Sequence, residues 1–100
     1  MSITWSQEAA NHIRTRSRRY PEALDIEPDW TVEAVQDPEA LWFEPDPKSS
    51  SGLGIRIIGY SVLAGFVVTV IAYRDGGQLR GATAYKANGS DLRAYRKGVS

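Results

Sequence analysis

The sequence Ala64-Gly-Phe-Val-Val-Thr-Val-Ile-Ala-Tyr73 is the longest apolar run of the chain, and it decides the fold. From Phe66 onward it holds β-branched and aromatic residues without a charge, which is typical of a strand buried on both faces. Asp75-Gly-Gly77 follows, and tight hairpin turns favour glycine because they need positive φ angles. The sequence therefore predicts a central hairpin that pairs residues 64–74 with residues 78–86.

The segments around this hairpin predict an α+β domain. A short strand opens the chain at residues 3–5, and a basic helix follows over residues 6–19 with Ser6 as its N-cap. The other predicted elements are a helix that Pro28 opens as its first residue and that continues over 29–36 until Asp37-Pro38 stops it, a strand at 40–44, a loop at 45–54 and a strand at 55–60.

The chain is predicted to end in a helix at about 89–97, which Asn88 caps and in which Asp91 reaches back as in a capping box. Connections after residue 55 are short, so we expect N-terminal helices followed by a small antiparallel sheet of about four strands and a C-terminal helix. The sheet occupies about 40–86, its helices lie on one side, and residues 1–100 form a single domain.

The amino-acid composition excludes several kinds of functional site. The 100 residues contain no cysteine, so there is no disulfide, thiolate metal site or cysteine nucleophile, and His12 is the only histidine. We therefore expect no metal site and no cofactor. The polar opening lacks a cleavable signal, which favours a cytoplasmic protein. Residues 57–73 carry no charge and are long enough for a short membrane span, but their glycines and β-branched residues favour two strands instead.

Charge is segregated along the chain. The net charge is zero, yet residues 1–21 carry +3, residues 22–47 carry −9 and residues 48–100 carry +6. One interpretation is a basic face that meets a polyanion and an acidic face turned elsewhere. The other is that the blocks neutralise each other across the fold, and the sequence leaves both open.

Arginine, lysine and tyrosine residues are interleaved from Arg56 to the C-terminal helix. Arginine binds phosphate oxygens bidentately and tyrosine rings stack on unpaired bases, so this mixture suits single-stranded RNA. Strict alternation along 78–86 would put Arg80 and Lys86 on one face with Ala82 and Ala84 between them, which predicts a shallow basic floor. The alternative is that these are ordinary exposed cations.

Several segments resemble one known family when their order and spacing are considered together. They are Ile3-Thr-Trp5 before the basic helix, Arg56-Ile-Ile-Gly-Tyr-Ser61, Leu79-Arg80, Thr83-Ala-Tyr-Lys-Ala87 and Asp91-Leu-Arg-Ala-Tyr95. This set resembles the BrnT-type toxins, small members of the RelE-like toxin superfamily. The resemblance covers residues 55–97 well and residues 1–20 only faintly.

The resemblance implies a RelE/BrnT-like fold and a toxin encoded beside an antitoxin. Such a toxin is a metal-independent endoribonuclease that cleaves cellular RNA such as mRNA. Its cognate antitoxin neutralises it, with a homodimer or a toxin–antitoxin heterotetramer as the assembly. Carried over by position, the catalytic residues are Arg56, Arg74, Arg80, Tyr85 and Lys86, which stabilise charge on the scissile phosphate while a proton acceptor takes the 2′-hydroxyl proton. The RNA-binding residues are Arg14, Arg16, Arg18, Arg93 and Arg96.

The chain departs from the family pattern at two positions that matter for catalysis. It has Thr83-Ala84-Tyr85 where the family usually has Ser-Ala-Arg, and Ala72 where a histidine is often found. No general base is then evident except a tyrosine or the distant His12. A second hypothesis is therefore a catalytically silent RelE-like module that only engages a protein partner, through the acidic residues 22–47 or the loop 45–54.

Overall fold

The computed structural model describes residues 2–99, with side chains for residues 2–98, and confirms the α+β class. A 3₁₀ turn spans Arg16–Arg18. The other elements are β1 (Ile3–Thr4), α1 (Gln7–Arg14), α2 (Pro28–Gln36), β2 (Leu41–Phe43), β3 (Ile55–Ser61), β4 (Phe66–Asp75), β5 (Gln78–Lys86) and α3 (Gly89–Val99). No helix within residues 2–99 is long and apolar enough to span a membrane.

The strands form one mixed sheet in the order β1-β5-β4-β3-β2. The predicted hairpin is confirmed as β4 and β5, with Gly76 and Gly77 at φ angles of 58° and 85° in the turn. The expectation of about four antiparallel strands needs a correction, because β1 adds a fifth strand. It pairs in parallel with β5, where Ile3 lies opposite Leu79.

Helices cover both faces of the sheet, so the expectation of helices on one side was wrong. Ile57 of β3 belongs to the core cluster that contains Ala34 of α2, whereas the neighbouring Ile58 packs with Tyr95 of α3. Side chains alternate between the faces of a strand, and Ile55 through Gly59 are all buried, so β3 must be covered from both sides. The structure does this with α1 and α2 on one face and α3 on the other.

Glycine lets α2 lie directly on the sheet. A Cβ atom at Gly59 would lie 2.0 Å from the carbonyl oxygen of Ala34, so only glycine fits there. Nearby, the indole Nε1 of Trp5 donates a 2.7 Å hydrogen bond to Thr31 Oγ1 and ties the start of the chain to α2. These contacts fix α2 against β3 and hold the residue after β1 beside α2.

The first and the last helix, α1 and α3, differ in detail from the prediction. The basic helix stops at Arg14, because the Thr15 φ and ψ angles of −124° and 27° leave the helical region, and the chain continues as the 3₁₀ turn. The capping box at the start of α3 does not form as predicted. The carboxylate of Asp91 instead accepts hydrogen bonds from Arg56 and Thr69 inside the fold.

Candidate functional site

A β-bulge at Ala82 separates two of the predicted catalytic cations. Ile71 pairs with Thr83 and Ala72 pairs with Gly81, so Ala82 is an extra residue in β5. One inserted residue reverses the alternation beyond it. Arg80 therefore lies on the face covered by α3, and Lys86 lies on the opposite face. The predicted basic floor that joins these two side chains was wrong.

Arg56 lies inside the protein, with 5% of its surface exposed. Its Nε lies 2.9 Å from Asp46 Oδ1, and its Nη1 lies 2.7 Å from Asp91 Oδ2. Nη1 also donates a 2.9 Å hydrogen bond to the hydroxyl of Tyr85. The guanidinium therefore joins the loop after β2, the sheet and α3, and its donors are directed at protein oxygens.

Burial and hydrogen bonding shift the pKa values of Arg56 and Asp46 in opposite directions. Burial alone would lower the pKa of Arg56, but its hydrogen bonds to Asp46 and Tyr85 outweigh burial and raise that pKa. Burial alone would raise the pKa of Asp46, but hydrogen bonds from Arg56 and the Lys48 amide hold that pKa below its ordinary value. Both groups stay charged at neutral pH, so the cluster is a structural ion pair.

The two other predicted catalytic arginines lie at the turn end of the hairpin. Arg74 donates from Nε and Nη2 to both oxygens of Glu44 at 2.7 Å, and Arg80 Nε lies 2.9 Å from Asp75. These pairs are about half exposed, and solvent screening leaves such pairs little effect on stability. An anion could therefore replace the carboxylates in these pairs at little cost in free energy. However, both arginines lie at the turn of the hairpin, far from Lys86 at the other end of β5.

A groove of about 690 Å³ lies between the segment after the 3₁₀ turn and the start of α3. We call it the basic-aromatic groove and define it by Arg16, Glu22, Tyr85 and Lys86, with Asn88 and Gly89 at its other wall. Three residues of the predicted sets, Arg16, Tyr85 and Lys86, come together here. The structure thus brings together a subset of the predicted residues, on the opposite side of the bulge from Arg80.

Aromatic rings hold Arg16 in this groove. Its Cζ lies 5.0 Å from the ring centroid of Tyr20 and 5.3 Å from that of Tyr85. Lys86 is positioned by a ring as well, with its Nζ 5.3 Å from the centroid of Phe66. Among the side chains of residues 2–98, no carboxylate forms an ion pair with Arg16 or Lys86. A cation–π contact leaves the N–H donors free to meet an anion.

The remaining predicted RNA-binding residues do not line this groove. Arg14 pairs with Glu27 at 3.1 Å, while Arg18, Arg93 and Arg96 are exposed. The sequence interpretation missed Glu22, which lines the groove at a φ angle of 67°. Its one signal was the preceding proline, which predicts a turn but gives no sign of the groove.

Other parts of the described chain offer less chemistry. A cavity of about 570 Å³ lies under the loop 45–54, with Leu53, Ile71 and Tyr73 among its lining residues. His12 lines a smaller, separate cavity with Ser6 and Glu8. Within residues 2–99 there is no cluster of three or more histidine, aspartate or glutamate residues that would hold a metal ion.

Comparison with known proteins does not identify a family, since no protein-family model, curated protein or solved structure matches this chain. The interpretation of the basic-aromatic groove therefore rests on its own geometry.

Proposed function

We propose that this chain is the toxin component of a type II toxin–antitoxin pair and that it cleaves RNA at the basic-aromatic groove. The observation that carries the proposal is the position of Arg16 beside Tyr85 and Lys86. Both cations lack a carboxylate partner among the described side chains. A phosphodiester is the ligand that such an arrangement favours.

The groups of the groove suit transfer of a phosphoryl group within RNA. Arg16 and Lys86 stabilise the negative charge that develops on the phosphate oxygens when the neighbouring 2′-hydroxyl attacks phosphorus. Tyr20, which is 49% exposed, offers a ring on which an unpaired base stacks. Arg56 serves this site indirectly, because its hydrogen bond holds the hydroxyl of Tyr85.

The proposal includes partners and a cellular location. RNA is the substrate, and a cognate antitoxin neutralises the chain by covering the groove. The assembly is a toxin homodimer or a toxin–antitoxin heterotetramer. The protein acts in the cytoplasm, where its substrate lies. No cofactor takes part in the proposed reaction.

The test is to induce the chain alone in bacteria and to follow both colony growth and RNA integrity. We expect the variant Arg16→Ala/Lys86→Ala to relieve growth arrest and to slow RNA cleavage in vitro by about 10²–10³-fold. The matched variant Lys48→Ala/Lys97→Ala removes the same charge outside the groove and should keep wild-type toxicity. Unchanged toxicity of the groove variant would contradict the proposal.

A second pair of substitutions tests whether the site lies at the hairpin turn or in the basic-aromatic groove. Arg74→Ala/Arg80→Ala removes the predicted catalytic arginines at the turn, far from Lys86. If cleavage occurs in the basic-aromatic groove, this variant retains activity. Loss of activity here, with the groove variant still active, would move the site to the hairpin turn.

The second candidate function is a catalytically silent module that binds a protein partner. The turn between β3 and β4 favours it, since Val62 and Leu63 are 75% and 67% exposed beside the carboxylate of Glu33. Purified chain that leaves RNA intact but co-purifies with one defined partner would support this alternative. Leu63→Asp should then abolish co-purification, while Arg16→Ala should not.

A further inference from the structure

We propose that Glu22 is the general base of the basic-aromatic groove and accepts the proton of the ribose 2′-hydroxyl. This inference rests on the proposed cleavage of RNA and names the group that the sequence interpretation could not supply. Glu22 lines the groove together with Arg16 and Lys86. Glu22 therefore borders the volume that the scissile phosphate would occupy.

Glu22 is an exposed residue whose carboxylate is not engaged within the described part of the fold. It has no hydrogen-bond or ion-pair partner among the side chains of residues 2–98, although two cations line the same groove. Other acids of the same segment are engaged, as Glu44 is with Arg74 and Asp46 with Arg56. A general base needs this availability, because its lone pair must reach the substrate.

The backbone holds Glu22 in a costly conformation. Within residues 2–99 it is the one non-glycine residue with a positive φ angle, at 67°. It is the third residue of a turn that the amide of Ala23 closes with a 3.1 Å hydrogen bond to the carbonyl of Tyr20. Such conformations cost about 1–3 kcal/mol and concentrate at functional sites. The same turn carries the Tyr20 ring that positions Arg16.

The other candidate bases fit less well. His12 lines a different cavity, with Ser6 and Glu8. The hydroxyl oxygen of Tyr85 already accepts a hydrogen bond from Arg56 at 2.9 Å. Glu22 is thus the acidic side chain among those that line the groove.

The proposed step is a balanced transesterification. The Glu22 carboxylate takes the proton of the 2′-hydroxyl while the 2′ oxygen forms a bond to phosphorus. The bond between phosphorus and the 5′ oxygen breaks, and the leaving oxygen takes a proton from the ammonium group of Lys86. The products are a 2′,3′-cyclic phosphate and a 5′-hydroxyl end. Water then returns the proton from Glu22 to Lys86.

The experiment measures cleavage and binding of one RNA in parallel, with a 2′-deoxy version of that RNA as the uncleavable probe. We expect Glu22→Gln to slow cleavage by about 10²–10⁴-fold and to bind the 2′-deoxy probe at least as tightly as the wild type, since a negative charge is removed. Glu39→Gln removes an exposed carboxylate outside the groove and should leave both readouts unchanged.

Three outcomes would overturn the inference, and they are distinguishable. Wild-type chain that cleaves no RNA would refute the proposed function together with the base. Active wild type with an equally active Glu22→Gln variant would refute the base alone. Loss of probe binding in Glu22→Gln would show that Glu22 positions the turn instead. Glu22→Gly guards against misfolding, because it removes the carboxylate yet suits the backbone, and it should also lose cleavage.

Discussion

Arg16 and Arg56 show how the same side chain takes different roles in one small protein. Arg56 is surrounded by Asp46, Asp91 and the Tyr85 hydroxyl, so its positive charge holds the fold together. Arg16 lies against the rings of Tyr20 and Tyr85, which leave its charge uncompensated. The surroundings of each guanidinium therefore decide which one is available to an anion.

Glu22 yields a prediction about stability that is independent of catalysis. Glycine adopts positive φ angles without the steric cost that glutamate meets, so Glu22→Gly should relieve strain. We expect the free energy of unfolding to rise by about 1 kcal/mol, because the entropy that glycine loses on folding offsets part of the gain. Urea-induced unfolding followed by tryptophan fluorescence measures the change.

The control for this prediction is the next residue. Ala23→Gly gains no steric relief, because Ala23 does not have a positive φ angle, and this variant should lose stability. Equal effects of the two substitutions would show that Glu22 is not strained. If Glu22→Gly gains stability and loses cleavage, the native glutamate sacrifices stability for activity.

At the scale of elements, one hydrogen bond joins α3 to the residue that follows α2. The hydroxyl of Tyr95 donates to Asp37 Oδ2 at 2.6 Å, just beyond the end of α2. Burial, together with this hydrogen bond, raises the pKa of Tyr95 to about 12. The folded state therefore favours the neutral phenol. The stabilisation is complete below the ordinary pKa of 10.0 and is lost as the pH rises toward about 12.

Tyr95→Phe tests this attachment. Near neutral pH we expect the variant to lose about 1 kcal/mol in its free energy of unfolding, the usual contribution of one hydrogen bond. Its free energy of unfolding should also fall less than that of the wild type as the pH rises from 10.0 toward about 12, because Tyr95 no longer titrates. Tyr73→Phe is the matched control, because Tyr73 is exposed and its hydroxyl has no hydrogen bond among the described residues. A Tyr95→Phe variant as stable as the wild type would contradict the prediction.

The sequence predicted α2 and the three long strands closely because their signals are local. Pro28 and the Asp37-Pro38 pair mark the ends of a helix, and the two glycines after Asp75 mark the hairpin turn. The bulge at Ala82 has only an ambiguous signal, the isolated Gly81 before it, since a glycine inside a strand marks either a bulge or a close approach of another group. Ala82 and Ala84 are both small and apolar, so the sequence pattern does not reveal the residue at which the alternation reverses.

The candidate site was predictable only in part, for a related reason. Arg56 lies in a strand, and the acids that neutralise it, Asp46 and Asp91, come from a loop and a helix distant in sequence. The capping box gave Asp91 a convincing local role, and Asp46 was simply one residue of the predicted loop 45–54. Tyr85 and Lys86 were proposed from the resemblance. Their grouping with Arg16 depends on how the 3₁₀ turn follows α1 past the edge of β5.

At the scale of the whole molecule, the charge blocks partly neutralise each other. Three ion pairs join basic residues to the acidic segment 22–47, namely Arg14 with Glu27, Arg56 with Asp46 and Arg74 with Glu44. Part of the segregation seen in the sequence is thus cancelled in space. Arg16 and Lys86 of the basic-aromatic groove form no ion pair with a carboxylate among the described side chains, and aromatic rings lie against both of them.

The stability of the fold at acidic pH depends on its hydrogen-bonded carboxylates. Hydrogen bonds hold the pKa below its ordinary value of 3.8 or 4.5 for five carboxylates, which are Asp25, Glu33, Asp37, Glu44 and Asp46. A lowered folded-state pKa means that the unfolded chain binds more protons in this range. The free energy of unfolding should therefore be steady above these ordinary values and fall as the pH drops below them.

Glu33→Gln tests this acid decline with the least disturbance of the fold. The hydroxyl of Ser61 and the amide of Leu63 both donate to Glu33 Oε1, and the first of these is the main reason that its pKa is lowered. Glutamine keeps an oxygen for both donors but does not titrate, so the variant should fold and lose stability less steeply below the ordinary value of 4.5. Urea unfolding at a series of pH values measures the slope. Repeating the series at about 1 M salt screens long-range charge effects, so a difference that persists belongs to the hydrogen bonds. Identical slopes for wild type and variant would mean that this carboxylate does not contribute to the decline.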